Sequence, residues 1–147
     1  MTALRPLLMT CGLLALAGCA SANPFADPRD QVFRVTSDMP VPPNVERAAD
    51  ASGCSGGQLN AVEARLPDYP ARGWSRGLQG WTVVQFDVRE DGLTQGVHVA
   101  RGVPGGSFNR EAERAVRDWR FAPLEPGEQL TGCVVLFEFT QGLVRVR

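Results

Sequence analysis

Residues 81 to 92 constrain this chain more than any other stretch. Trp81 to Val88 alternates cleanly. Thr82, Val84, Phe86 and Val88 share one side, and Trp81, Val83, Gln85 and Asp87 share the other. A period of two places successive side chains on opposite faces of a strand, so this segment reads as a strand with an apolar face to bury. Arg89-Glu-Asp-Gly92 follows, with a glycine available for the positive φ of a tight turn. Leu93 to Arg101 then runs back, with Val97 and Val99 facing one way. Two strands alone are marginal in water, so whatever else folds here must cover this hairpin.

The downstream sequence supplies the cover. Phe108, Ala112, Ala115, Val116 and Trp119 form one apolar helical stripe. Arg110, Glu111, Glu113, Arg114, Arg117 and Asp118 occupy the other side and read as a solvated face. Ser107 or Asn109 is placed to cap this helix, and Pro123 stops any continuation. Gly132 to Thr140 alternates again, Cys133, Val135, Phe137 and Phe139 against Val134, Leu136, Glu138 and Thr140, which predicts a third strand. Upstream, Leu59, Val62 and Leu66 recur at helical spacing and predict a short helix that ends at Pro67. Tyr69-Pro70 opens another turn or short helix, closed by Gly73 or Gly77. The expected order is helix, hairpin, helix, strand. It makes an α+β domain over residues 58–147, with a small three-stranded antiparallel sheet packed against helices.

The front of the chain differs in kind. One early cation, Arg5, precedes an apolar run from Leu7 to Leu16 that is shorter than the about 20 residues a spanning helix needs. The run ends in Leu16-Ala-Gly-Cys19, which resembles the bacterial lipobox. The resemblance implies a lipoprotein signal over residues 1–18, acylation of Cys19 and a mature chain that starts there. A single acyl chain anchors weakly and several anchor firmly. An Asp after the cysteine would resemble the inner-membrane retention signal. Ala20 points instead to the periplasmic face of the outer membrane. Residues 19–57 then read as a tether, broken by Pro24, Pro28, Pro40, Pro42 and Pro43. As a coil it would span roughly 35 Å, and fully extended about 130 Å. Gln31 to Val35 alternates weakly, enough for at most a short strand.

Composition excludes several classes of function. The net charge is −1, so no basic field draws nucleic acid. Of the four cysteines, Cys11 lies inside the signal and Cys19 at the lipobox, which leaves Cys54 and Cys133 in the mature body. Export would place that pair in an oxidising compartment, where a disulfide is the favoured state and two buried thiols the alternative. Closing so long a loop constrains the unfolded chain by roughly 4 kcal/mol in the entropy model. Two cysteines and the single histidine, His98, make no zinc site. No Ser sits in a Gly-x-Ser-x-Gly elbow, and Gly102 to Gly106 lacks the Lys and Ser/Thr of a phosphate loop. Asp87, Glu90 and Asp91 are too few for a calcium loop. The residues point to no catalytic set, metal or cofactor.

The order of the short motifs is similar to the TonB C-terminal domain family. Tyr69-Pro-Ala-Arg72 stands before a glycine. Phe86-Asp-Val88 precedes Asp91-Gly92, Phe108-Asn109 opens the helix, and Trp119-Arg-Phe-Ala-Pro123 closes it. The resemblance implies a periplasmic module that contacts an envelope partner, such as the plug or signal peptide of a TonB-dependent outer-membrane receptor. By the same resemblance the last strand, Gly132 to Thr140, is a sheet edge beside which a partner peptide adds. Val134, Leu136 and Glu138 would then line the contact, and Tyr69, Arg72 and Trp74 would flank it. Two departures matter. In the family an Ala-Gln pair follows Tyr-Pro-x-Arg and helps hold the receptor peptide, whereas Gly73-Trp74 stands here. The motor-coupled membrane helix is replaced by the lipobox. Trp74 either anchors a partner or covers the domain's own core. A transport module and a non-energised scaffold lipoprotein, binding an envelope protein or the cell wall, both remain open.

Overall fold

The computed structural model describes residues 26–44 and 54–147. The signal and Cys19 lie outside the described residues. The elements run β1 (Ala61–Glu63), α1 (Ala71–Ser75), β2 (Gly80–Val88), β3 (Thr94–Val103), α2 (Ser107–Arg117), β4 (Arg120–Phe121), β5 (Leu130–Thr140) and β6 (Leu143–Val146). The fold is α+β. Its main sheet is antiparallel with strand order β3-β2-β5-β6, and β1 pairs with β4 in a separate two-stranded ribbon.

The hairpin forms where the alternation places it. Arg89 and Gly92 close the turn, with the Gly92 amide donating to the Arg89 carbonyl at 2.8 Å. Val84, Phe86 and Val88 of β2 enter the core with Cys133, Val135, Phe137 and Phe139 of β5. Helix α2 lies across this face. Phe108, Ala112 and Val116 are fully buried, and Trp119, just past the helix, is 6% exposed. The Trp119 ring meets Phe137 at 5.7 Å and Phe86 at 6.1 Å. Its indole N–H donates to the Arg65 carbonyl at 2.8 Å.

The opposite face of the sheet is also covered. Trp81, Val83 and Leu136 form a second, smaller cluster that takes Met39, Val103 and Val134 at its margin. Val103 reaches this face because the β2–β3 register shifts between Val83 and Val84, which turns the end of β3 over. The Arg101 guanidinium lies 5.9 Å from the Trp81 ring.

Four expectations are corrected. Residues 59–66 are not a helix: β1 forms there, Ala61 opposite Phe121 and Glu63 opposite Arg120. Val62 and Leu66 are exposed, so their spacing marks no buried stripe. The α2 N-cap is Gly106, with no side-chain cap. Asn109 instead accepts from the Thr82 hydroxyl at 3.1 Å, pinning the start of α2 to β2. The sheet has a fourth strand, β6, which follows β5 through a turn at Gln141 and Gly142, both at positive φ (51° and 78°). Two positive-φ residues fit the tight hairpin turns whose twist matches the strands.

The fourth correction concerns the stretch read as a tether. Residues 31–39 form no strand, yet they dock on the domain as a strap. The Thr36 amide donates to the Gly77 carbonyl at 2.9 Å. Gly77 has a φ of +58°, and a side chain there would meet the Arg34 carbonyl at 1.7 Å, so only glycine admits the strap. Ser37 binds Gln79 twice: its hydroxyl accepts the Gln79 amide at 2.9 Å, and its carbonyl accepts from Nε2 at 2.7 Å. Farther along, Cys54 is disulfide-bonded to Cys133, and Ser55 exchanges both backbone bonds with Thr131 at 2.9 and 3.0 Å.

Candidate functional site

The site region lies where α1, the strap and the β5–β6 turn meet. Pro70 leads α1, and its five residues bring Trp74 back over Tyr69. Tyr69 is the hub of an aromatic cluster. Its ring meets Phe33 of the strap at 5.3 Å, and Trp74, Phe108 and Phe139 each at 5.7 Å, all edge-to-face. Aromatic rings prefer this arrangement, with the positive edge of one against the negative face of another. The Tyr69 hydroxyl donates to the Leu78 carbonyl at 2.5 Å. Burial pushes its pKa up to about 12.

Trp74 is half-buried. Its ring contacts Phe33 at 5.2 Å, and its indole N–H donates to the Gln31 carbonyl at 3.0 Å. The structure therefore seats Trp74 on the domain's own core and strap. Arg72 is exposed on α1. Gln79 joins the three parts of this region. Beyond its bonds to Ser37, its Oε1 accepts from the Thr140 hydroxyl at 2.9 Å and from the Gln141 amide at 3.1 Å. Sequence reading missed both Phe33 and Gln79. Phe33 sits among prolines and polar residues, and a single glutamine before a strand carries no pattern.

The sheet edge is not where the sequence reading puts it. β5 lies inside the sheet, between β2 and β6. β6 covers Phe137 to Thr140, and Leu136 and Arg147 exchange both backbone bonds at 2.9 Å. Leu136 is 1% exposed in the second core, and Glu138 is 6% exposed with an ion pair to Arg147 at 3.7 Å. Val134 is half-buried at the margin of the same cluster. Tyr69 is buried as well. Of the six residues expected to contact a partner, Arg72 is the one with an exposed side chain among them.

β6 takes over the edge position. In an antiparallel pair, residues that exchange backbone bonds alternate with residues whose amides and carbonyls point away. Arg147 faces Leu136, so Arg145, opposite Glu138, faces the same way. Val144 and Val146 therefore direct their backbone groups outward, away from β5. Leu143 and Val146 are 60% and 47% exposed. Such an edge can accept an added strand through main-chain bonds. Among the described residues no group of three His, Cys, Asp or Glu side chains is placed to hold a metal ion. His98 is exposed, and its Nδ1 lies 2.7 Å from the Gly96 carbonyl.

Residues 65–140 match the model of the Gram-negative bacterial TonB protein C-terminal family. The chain belongs to that family. The chain is 37% identical to the protein TonB of Escherichia coli (strain K12) over 67 residues, which is 46% of this chain and 28% of that one. It is 29% identical to the protein TonB of Yersinia enterocolitica over 115 residues, 74% of this chain and 45% of that one. The chain thus spans less than half the length of these curated relatives. The solution structure of the Pseudomonas aeruginosa TonB C-terminal domain aligns with a TM-score of 0.48 at 28% identity, covering 56% of this chain and 85% of that one.

Within this TonB-type domain the recognisable motifs serve the architecture. Tyr69 is the aromatic hub. Asp87 Oδ1 accepts the Gly132 amide at 2.8 Å, tying β2 to β5. The Phe121 amide donates to the Gly92 carbonyl at 2.9 Å, and the Phe121 ring stacks on Phe86 at 5.8 Å. The residues that mark the family build and brace its core.

Proposed function

We propose that this chain is a lipid-anchored envelope protein, acylated at Cys19 on the periplasmic face of the outer membrane. Its TonB-type head binds an extended segment of an envelope partner. Family membership points to the plug or signal peptide of a TonB-dependent outer-membrane receptor as that segment. The observation that carries the binding mode is β6, whose outward amides at Val144 and Val146 form a sheet edge beside exposed Leu143. Affinity from main-chain bonds tolerates a changed side-chain set, so Gly73-Trp74 in place of Ala-Gln alters the partner choice more than the mode. No chemistry is assigned to the head; it acts by binding.

Val146→Pro tests the edge. It removes one outward donor and leaves the β5–β6 bonds in place, and the extended Arg145 before it accommodates a proline. Binding of a synthetic receptor signal peptide should fall at least tenfold, with the melting temperature within a few degrees of wild type. Unchanged binding would refute strand addition at β6.

The second reading, a scaffold lipoprotein without energy coupling, is favoured by the docked strap, which shortens the tether that remains free. Co-sedimentation of the protein with purified peptidoglycan, without receptor-peptide binding, would select it.

A further inference from the structure

A cleft of about 580 Å³ opens on the strap side of α1, lined by Gln31, Val32, Arg34, Thr36, Trp74, Ser75 and Arg76. Two guanidiniums line it, and none of its lining residues is a carboxylate. Arg34 and Arg76 are exposed. Val32 in its lining is 86% exposed, and Val35, farther along the strap, 51%. A surface that pairs planar cations with protruding valines and a tryptophan edge suits a layer of phosphates over acyl chains. Guanidinium matches phosphate oxygens in a two-pronged geometry, and amphipathic rings sit at the membrane–water boundary.

Chain length says which layer. Seven residues, 20–26, separate Cys19 from Asp27, where the docked part begins with the single turn Pro28–Asp30. Fully stretched, they reach about 25 Å, and as a coil they average roughly 15 Å. The strap removes the rest of the expected tether from play, since Gln31 to Ser37 is bound to the head. With Cys19 acylated, the cleft is held within a few residues' reach of the bilayer, at an effective concentration where weak contacts suffice.

We infer that the Val32–Arg34–Arg76 face is a membrane-docking surface for the phospholipid headgroups of the bilayer that holds the Cys19 anchor. The inference rests on the lipoprotein reading above. It turns the strap from a leash into a collar that holds the head against its membrane. The β5–β6 turn lies beside Trp74, and a side chain at Gly142 would meet that ring at 2.7 Å. The β6 edge therefore starts next to the docked face, and its partner segment must come from that membrane's surface.

The test uses the full-length protein purified from membranes, with intact mass reporting acylation, in vesicles of phosphatidylethanolamine and phosphatidylglycerol. An environment-sensitive fluorophore is placed at Val32→Cys, or at Glu128→Cys in the loop by the far end of the hairpin. The Val32 label should shift to the blue on reconstitution, and the Glu128 label should not. Arg34→Gln with Arg76→Gln should abolish the Val32 shift while leaving the melting temperature unchanged. Acyl mass present with a Val32 label as wet as the Glu128 label overturns the docking surface alone. A Val32 shift that survives the double substitution overturns the role of the two arginines. Absent acyl mass on Cys19 overturns the anchored reading, and this surface with it.

Discussion

Trp119→Ala is the most informative single perturbation of the fold. The side chain sits at the junction of α2, β4 and the 65–68 segment, 6% exposed. Its ring touches three others: Phe137 at 5.7 Å, Phe86 at 6.1 Å and Phe121 at 6.2 Å. A tryptophan buries about 150–250 Å², worth roughly 4–6 kcal/mol of transfer energy as an upper bound. Measured truncations of core aromatics cost about 3–5 kcal/mol, and that range is expected here. Part of the loss is polar, because the Arg65 carbonyl loses its indole donor. Trp119→Phe keeps an aromatic ring but removes the donor and some ring volume, and should cost less than the alanine variant, about 1–3 kcal/mol. Urea unfolding followed by far-UV circular dichroism gives both values, provided the slope m is unchanged. The alanine variant should also lower the melting temperature by roughly 12 °C or more. A loss below about 1 kcal/mol would mean that Trp119 is not in the core and that α2 packs in another phase.

Trp74→Ala should cost about 1–3 kcal/mol, and limited proteolysis should then cut the strap between Gln31 and Thr36; unchanged stability with a protected strap would sink the aromatic seat. Raising the pH tests Tyr69. Its folded pKa, about 12, lies above the unfolded value near 10. Its contribution is therefore fully present below about pH 10 and is lost as pH rises towards about 12. Tyr69→Phe should flatten the stability curve in that window, and an unchanged slope would refute the assignment. Thiol labelling of the unreduced, denatured protein should find Cys54 and Cys133 blocked, and reduction should cost about 4 kcal/mol in the entropy model; two labelled thiols would sink the pairing.

What was legible in the sequence follows from period and burial. β2, the core face of β5 and the α2 stripe each bury one whole face, so hydrophobic alternation fixes them. β6 escaped because its four residues bury little, and their signal is a two-residue turn. The 59–66 helix failed because three apolar residues at helical spacing also occur by chance in exposed chain; pairing with Arg120 and Phe121 decides that segment, and the pairing is non-local. Phe33 and Gln79 were illegible for the same reason. Each is a lone residue whose partners lie far along the chain, Phe33 with Tyr69 and Trp74, and Gln79 with Ser37 and Thr140. The family motifs led to the correct fold but placed the sheet edge on β5, which β6 covers. Tyr69, Leu136 and Glu138 are buried by neighbours that no local pattern reveals.

In the proposed binding mode an envelope partner adds an extended segment to the β6 edge. A photo-activatable cross-linker placed at exposed Arg145, in intact cells expressing the full chain, tests it most directly. An adduct with an outer-membrane receptor is expected, mapped to an extended segment of that receptor and reduced by Val146→Pro. No adduct at Arg145, with adducts instead from a cross-linker at Gln95 on the β3 edge, would contradict it.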